Sequence, residues 1–159
     1  MTEIPKTWLT PTAHLKLTEE YKSLTQEGRE AIRIRIAEAR EHGDLRENAE
    51  YDTAKNDQGL MEARIREIRY ILDNCEVSEA TNSGSVEIGT IATVRNDEGE
   101  ELDIFIAATH NKDTSMLLAS PDSPLGSALL GANPGSTVTF KAPGGSFEYE
   151  VLSIRAYED

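Results

Sequence analysis

The stretch His42-Gly43-Asp44-Leu45-Arg46-Glu47-Asn48 separates two long segments whose apolar residues recur at helical spacing. A connection this short between long amphipathic helices forces them to run antiparallel, side by side. The carboxylates of Asp44 and Glu47 are thereby expected at the far end of a rod. After the connection, Tyr51, Ala54, Gln58, Met61, Ile65, Ile68, Leu72 and Cys75 follow alternating steps of three and four, with only Gln58 polar. That is a heptad seam. Before the connection, Leu17, Tyr21 and Leu24 keep the same steps, Gly28 interrupts them, and Ile32, Ile36 and Ala39 resume after a phase slip. The glycine predicts a bend or a weak turn. Thr10 followed by Pro11 marks a helix start, and Asn82, Ser83 and Gly84 close the second arm after Cys75. Arms of about 30 residues reach roughly 45 Å at 1.5 Å per residue.

Two readings of the connection compete on its residues alone. Asp44-Leu45-Arg46-Glu47 fits a capping box, with Asp44 accepting from the amide at Glu47 and the Glu47 carboxylate returning to the Asp44 amide. Glu50 adds charge favourable to the helix dipole. Alternatively, the two exposed carboxylates help to hold a hard divalent cation. Magnesium takes six oxygens and keeps its waters, so two carboxylates make a poor isolated site and the rest must come from another molecule.

Past residue 80 the helical period gives way to short β-rich runs at 88–95, 102–108, 115–119, 137–142 and 147–156. Asn96-Asp97-Glu98-Gly99 joins the first pair and Pro143-Gly144-Gly145 the last, which predicts antiparallel pairing. Between them, Ser123-Pro124-Leu125-Gly126-Ser127-Ala128-Leu129-Leu130-Gly131 has a capping serine, a proline at the first helical position and a terminal glycine. A short helix over one sheet face is expected. The whole is an α+β chain with an N-terminal antiparallel α-helical hairpin over 1–80 and a C-terminal antiparallel β domain over 81–159.

The chain carries a net charge of −13, unevenly spread. Residues 1–78 hold 12 basic and 16 acidic side chains, whereas residues 79–159 hold 4 and 13. Free DNA or RNA binding needs clustered Lys and Arg, which this balance opposes. Arg29, Arg33, Arg40, Arg46, Lys55, Arg66 and Arg69 concentrate the positive charge on the helical arms. Spacing alone reads them as a solvated face paired with Glu30, Glu62 and Glu67. No apolar run approaches the roughly 18 residues of a membrane span, and the first residues lack a secretory pattern, so a cytoplasmic protein is expected. Cys75 is placed on the helical seam as a small hydrophobe, with no chemical role. His14, His42 and His110 have no partners at metal-ligand spacing.

The run from Ala37 to Tyr51, followed by Lys55, Gln58, Glu62, Arg64 and Ile65, closely resembles the bacterial Gre transcript-cleavage factors, most like the GreA type. The later run from Ser120 to Gly131, with Pro143-Gly144-Gly145, resembles the C-terminal domain of that family. The resemblance implies a coiled-coil hairpin joined to a globular domain similar to FK506-binding proteins. It implies bacterial RNA polymerase as partner: the globular domain docks at the rim of the secondary channel and the arm carries its tip to the active centre, where backtracked RNA is cleaved. Carried onto this chain, the acidic pair that shares Mg2+ with the polymerase is Asp44 and Glu47. The basic patch facing the RNA 3′ end is Arg40 and Lys55, placed across from each other, and the docking segment includes Ser123 and Pro124. Ser127 stands where many relatives have a basic residue. The implied factor is a monomer, has no hydrolytic site of its own and binds no metal stably alone. Three other readings are weaker: a channel-binding inhibitor of transcription, which the cleavage-type tip opposes; a peptidyl-prolyl isomerase-like module, whose pocket is hard to assemble from Phe105, Phe140, Phe147, Tyr149 and Tyr157 because several of them should be core; and a dimerising coiled coil, whose seam the hairpin already satisfies.

Overall fold

A computed structural model describes residues 6–43, 48–111 and 116–158 of the chain. Asp44 and Glu47, and the start of the strand expected at 115, lie outside the described residues. The chain divides into two compact units. Among the described residues, one comprises 14–74 and the other comprises 6–13 and 75–158. The segment 6–13 and the residues just after 74, grouped with the arms in the sequence reading, fall in the second unit.

The first unit is helical. Helix α1 (Pro11–Ser23) passes through a π-helical turn at Leu24–Gly28 into α2 (Arg29–Glu41) without leaving helical geometry. The interruption read at Gly28 is thus the end of a π-helical turn. The phase slip is the extra residue that a π turn inserts. A Cβ at Gly28 would stand 3.0 Å from the Met61 sulfur, so glycine also lets the next helix approach closely here. Helix α3 (Ala49–Asp73) follows the connection, its start and the end of α2 matching the expected seven-residue gap.

Ile32 and Ile36 of α2 pack with Ala54 of α3, flanked by Tyr51 and Met61. Partners fall along α3 as they rise along α2: Arg29 meets Glu62 and Arg35 meets Asp57. The two helices run in opposite directions. Ile65, Ile68 and Ile71 continue the buried stripe. Cys75 does not belong to it, because α3 ends at Asp73 and Cys75 opens a strand.

In the second unit, β1 (Thr7–Leu9) pairs in parallel with β2 (Cys75–Val77). A second sheet has the order β5-β4-β3-β7-β6, formed by β3 (Thr90–Arg95), β4 (Glu101–Ile106), β5 (Leu117–Ala119), β6 (Thr137–Ala142) and β7 (Gly145–Ala156). The sheet is mixed, since β4 and β5 run parallel; the expectation of wholly antiparallel pairing is corrected there. Antiparallel strands can close through tight turns, and both predicted turns do so. Asn96 accepts from the amides of Glu98 and Glu100, and Pro143-Gly144 links paired residues Ala142 and Gly145.

Helix α4 (Pro124–Leu129) is capped by Ser123. Its Leu129 joins Val86, Val94, Ile104, Ile106 and Val151 in the main core. A separate cluster holds Ile91, Phe105 and Ala107 with Trp8 and Tyr157 packed against it. Trp8 meets Phe105 edge-on at 6.3 Å between ring centroids, while Tyr157 stacks on it at 4.3 Å. The Asn111 amide fixes the Trp8 segment, accepting from the Thr10 N–H at 2.8 Å and donating to the Trp8 carbonyl at 2.8 Å.

Candidate functional site

Both helices that flank residues 44–47 end in defined caps. At the end of α2 the His42 amide donates to the Ala39 carbonyl at 3.3 Å, and Gly43 adopts a positive φ of 100°. Glycine reaches that conformation without steric cost, which stops the helix. At the start of α3 the N-cap is Asn48, whose side-chain oxygen accepts from the Tyr51 amide at 3.1 Å. The N-cap of α3 is thus Asn48, and the capping box expected between Asp44 and Glu47 lies outside the described residues. Asn48 is itself a strong capping residue, and its position puts Glu50 and Asp52 in the first turn, where they complement the dipole. The Asn48 Nδ2 also donates to the Ala39 carbonyl at 2.5 Å, tying the two helices together beside the connection.

Arg40 is exposed, and its guanidinium lies over the Tyr51 ring at 5.8 Å from the centroid, a cation–π contact that holds the side chain on the α3 face. Lys55 is exposed one turn further along α3 and donates to the Gln58 side-chain oxygen at 2.9 Å. The residue across from Arg40 is thus Tyr51, with Lys55 following at i+4. Arg35, Glu38, Ala39, His42, Ala49, Glu50 and Thr53 line an open groove of about 490 Å³ that includes none of Arg40, Tyr51 and Lys55.

The arm's other basic residues are largely committed to ion pairs. Arg29 binds Glu62 through two hydrogen bonds of 2.9 and 3.0 Å, and Arg64 binds Glu20 through two of 2.8 and 2.9 Å. Arg64 also reaches Glu67, and Arg33 pairs with Glu30. The Arg29 and Arg64 guanidiniums hold the Glu62 and Glu20 carboxyls below their ordinary values. Arg64 is raised by its bonds to Glu20 and by those to Glu67. Forked pairs of this kind fix helix register more than they stabilise, since solvent screens exposed charges. Arg40 and Lys55, by contrast, have no carboxylate partner among the described salt bridges.

In the second unit Ser123 is half-buried and its hydroxyl is fully used: it donates to the Ser120 carbonyl at 2.6 Å and accepts from the Gly126 amide at 3.1 Å. A Cβ on Gly126 would fall 1.9 Å from the Ser120 carbonyl oxygen, so the turn requires glycine. Pro124 follows with its ring exposed. The serine shapes this corner, and the proline presents it.

Among the described residues, no group of three or more His, Cys, Asp or Glu side chains could hold a metal ion, and no helix is long and apolar enough to cross a membrane. Asp44 and Glu47 stand outside that description; as carboxylates they are the hard oxygen donors that suit Mg2+. Sequence reasoning passed over Asn48 and Tyr51 as site residues. An Asx residue three positions before an aromatic, directly ahead of an apolar periodic run, was the available signal.

Residues 7–77 match the family model described as transcription elongation factor, N-terminal, and residues 80–156 match that of the GreA/GreB C-terminal domain. A protein named transcription elongation factor GreA from Thermotoga neapolitana is 43% identical over 151 residues, which cover 94% of this chain and 97% of the relative. Its namesake from Alkalilimnicola ehrlichii is 42% identical over 159 residues, 98% of this chain and 99% of the relative. A solved structure of GreA factor homolog 1 from Thermus thermophilus is similar at 24% identity and a TM-score of 0.43, covering 95% of this chain and 99% of that one. With both halves matched in order and the length of its relatives covered, the chain belongs to the GreA/GreB family of transcription elongation factors.

Proposed function

We propose that this protein enters the secondary channel of bacterial RNA polymerase and stimulates the polymerase's own cleavage of backtracked RNA, which returns arrested complexes to elongation. The observation that carries this reading is the match of both halves to the two models of one family, with GreA-named relatives of similar length. In this reading residues 1–80 form an antiparallel coiled-coil hairpin that acts as an arm, and residues 81–159 form an FKBP-like domain that docks. The protein works in the cytoplasm as a monomer.

Asp44 and Glu47 bring carboxylate oxygens to the polymerase active centre. Two such oxygens cannot complete a magnesium shell, so the remaining ligands belong to the polymerase and the RNA phosphate. Bound there, magnesium supplies the charge that a two-ion hydrolysis needs at the attacking and leaving oxygens. Arg40 and Lys55 attract the displaced RNA 3′ segment locally, on a chain whose net charge of −13 discourages free nucleic-acid binding. The stacking of Arg40 on Tyr51 supports that role by holding the cation ready. Pro124, presented at the corner that Ser123 shapes, takes part in docking. The factor alone hydrolyses nothing.

A stalled, backtracked polymerase complex tests the reading. Adding the protein with magnesium should shorten the RNA and release 3′ fragments. Unchanged RNA would overturn it.

A further inference from the structure

A guanidinium has N–H donors round its edge and two flat faces, and it can be held by either. Arg29, Arg33 and Arg64 of the arm are held edge-on, each through two hydrogen bonds to one carboxylate. Arg40 is held by its face, over the Tyr51 ring at 5.8 Å from the centroid. That ring is itself fixed. Its side chain packs against the cluster of Ile32, Ile36 and Ala54, and the Tyr51 amide donates to the Asn48 side-chain oxygen at 3.1 Å in the first turn of α3. Tyr51 is half-buried whereas Arg40 is exposed, so the guanidinium forms the outer layer of the pair. Lys55, also exposed, stands four residues beyond Tyr51 and hence on the same side of α3. The arm thus offers a backed cationic plane and, one turn along, a point charge. Single-stranded nucleic acid presents the complementary features, a base plane and a phosphate.

We propose that the outer face of Arg40, backed by Tyr51, stacks on an unpaired base of the displaced RNA 3′ segment, while Lys55 takes a neighbouring phosphate. This rests on the cleavage-stimulating function given above and specifies how the same site engages its RNA. Charge alone would be served equally by a lysine side chain, which has no plane to stack. Stacking is tolerant of sequence, because every base has a π face.

Backtracked polymerase complexes provide the test, assembled with ordinary RNA or with RNA whose displaced 3′ nucleotides are abasic, so that phosphates remain and bases are gone. Stimulation is read as the cleavage rate with saturating factor divided by the rate without it, which removes any effect of the missing bases on the polymerase alone. Wild-type stimulation should fall about tenfold on abasic RNA. Arg40→Lys should lose about tenfold on ordinary RNA and nothing further on abasic RNA, whereas Lys55→Ala should lose by the same factor on both. Tyr51→Leu should behave like Arg40→Lys, and Tyr51→Phe, which keeps the ring, should recover most of the stimulation. Wild-type stimulation that is equal on the two RNAs, or an Arg40→Lys protein that still distinguishes them, would overturn the stacking role alone. Absence of stimulation by the wild-type protein on ordinary RNA would overturn the functional reading and the stacking with it.

Discussion

The helical unit and the β unit hold themselves together by different means. The β unit buries large side chains on two sides of its sheet, with Phe105, Ile104, Ile106 and Leu129 fully enclosed. The helical unit buries one stripe, in which Ile68 is the large fully enclosed member and alanines at 39 and 54 let the helices approach. A helix pair has one facing stripe each, whereas a sheet covered on both faces has two. The outer faces of the arm then carry forked ion pairs that fix register, while Arg40 and Lys55 are exposed. Stability is concentrated in one unit and reach in the other.

Truncating Phe105 to alanine should give the largest loss, about 4 kcal/mol, read by the fluorescence of Trp8, the chain's single tryptophan, during denaturant unfolding. Ile36→Ala in the arm should cost about 2 kcal/mol, read by helical circular dichroism. A reversed order would break the contrast between the units. Acid should act more weakly, and mainly on the arm. Glu20, Glu30 and Glu62 are all held below the ordinary value of 4.5 by arginine partners, so their contribution is complete above that pH and fades as pH falls below it. The helical signal should therefore melt at a lower temperature near pH 3 than near pH 6. The β unit has a counterpart in Asp103, held down by Thr93 and Arg155, and should respond less. Smallest of all is Gly28→Ala. A gain of about 1 kcal/mol in helix propensity is offset by displacing the flexible Met61 end from 3.0 Å, leaving a net change near zero. A loss of several kcal/mol would show that the π turn itself needs glycine.

Much of this was legible in the residues because the strongest signals are local and periodic. The buried Leu17, Ile32, Ile36, Ala39, Ala54, Ile65 and Ile68 all lie on the predicted seams, and Ser123 with Pro124 announced α4. What escaped has physical causes. The capping reading was spent on Asp44 to Glu47, and Asn48, which caps α3 and also bonds to Ala39, went unremarked as a cap. Strands of three residues, such as β1, β2 and β5, carry too little alternation to reveal a partner distant in sequence, and Cys75 sits in one of them. A π turn changes the phase without any residue type that marks it, so Gly28 read as a bend or a weak turn. The tie between Asn48 and Ala39 depends on the exact distance between two helix ends, which spacing alone does not give.

The central claim is that the arm lends two carboxylates to a site belonging to another molecule. Asp44→Asn combined with Glu47→Gln tests it directly, and the cap at Asn48 means that neither change removes the N-cap of α3. Measured on backtracked polymerase with saturating factor, the double variant should lose at least about a hundredfold in stimulated cleavage. Added in excess, it should also block the wild-type factor by occupying the same channel. Cleavage at the wild-type rate by the double variant would contradict the account.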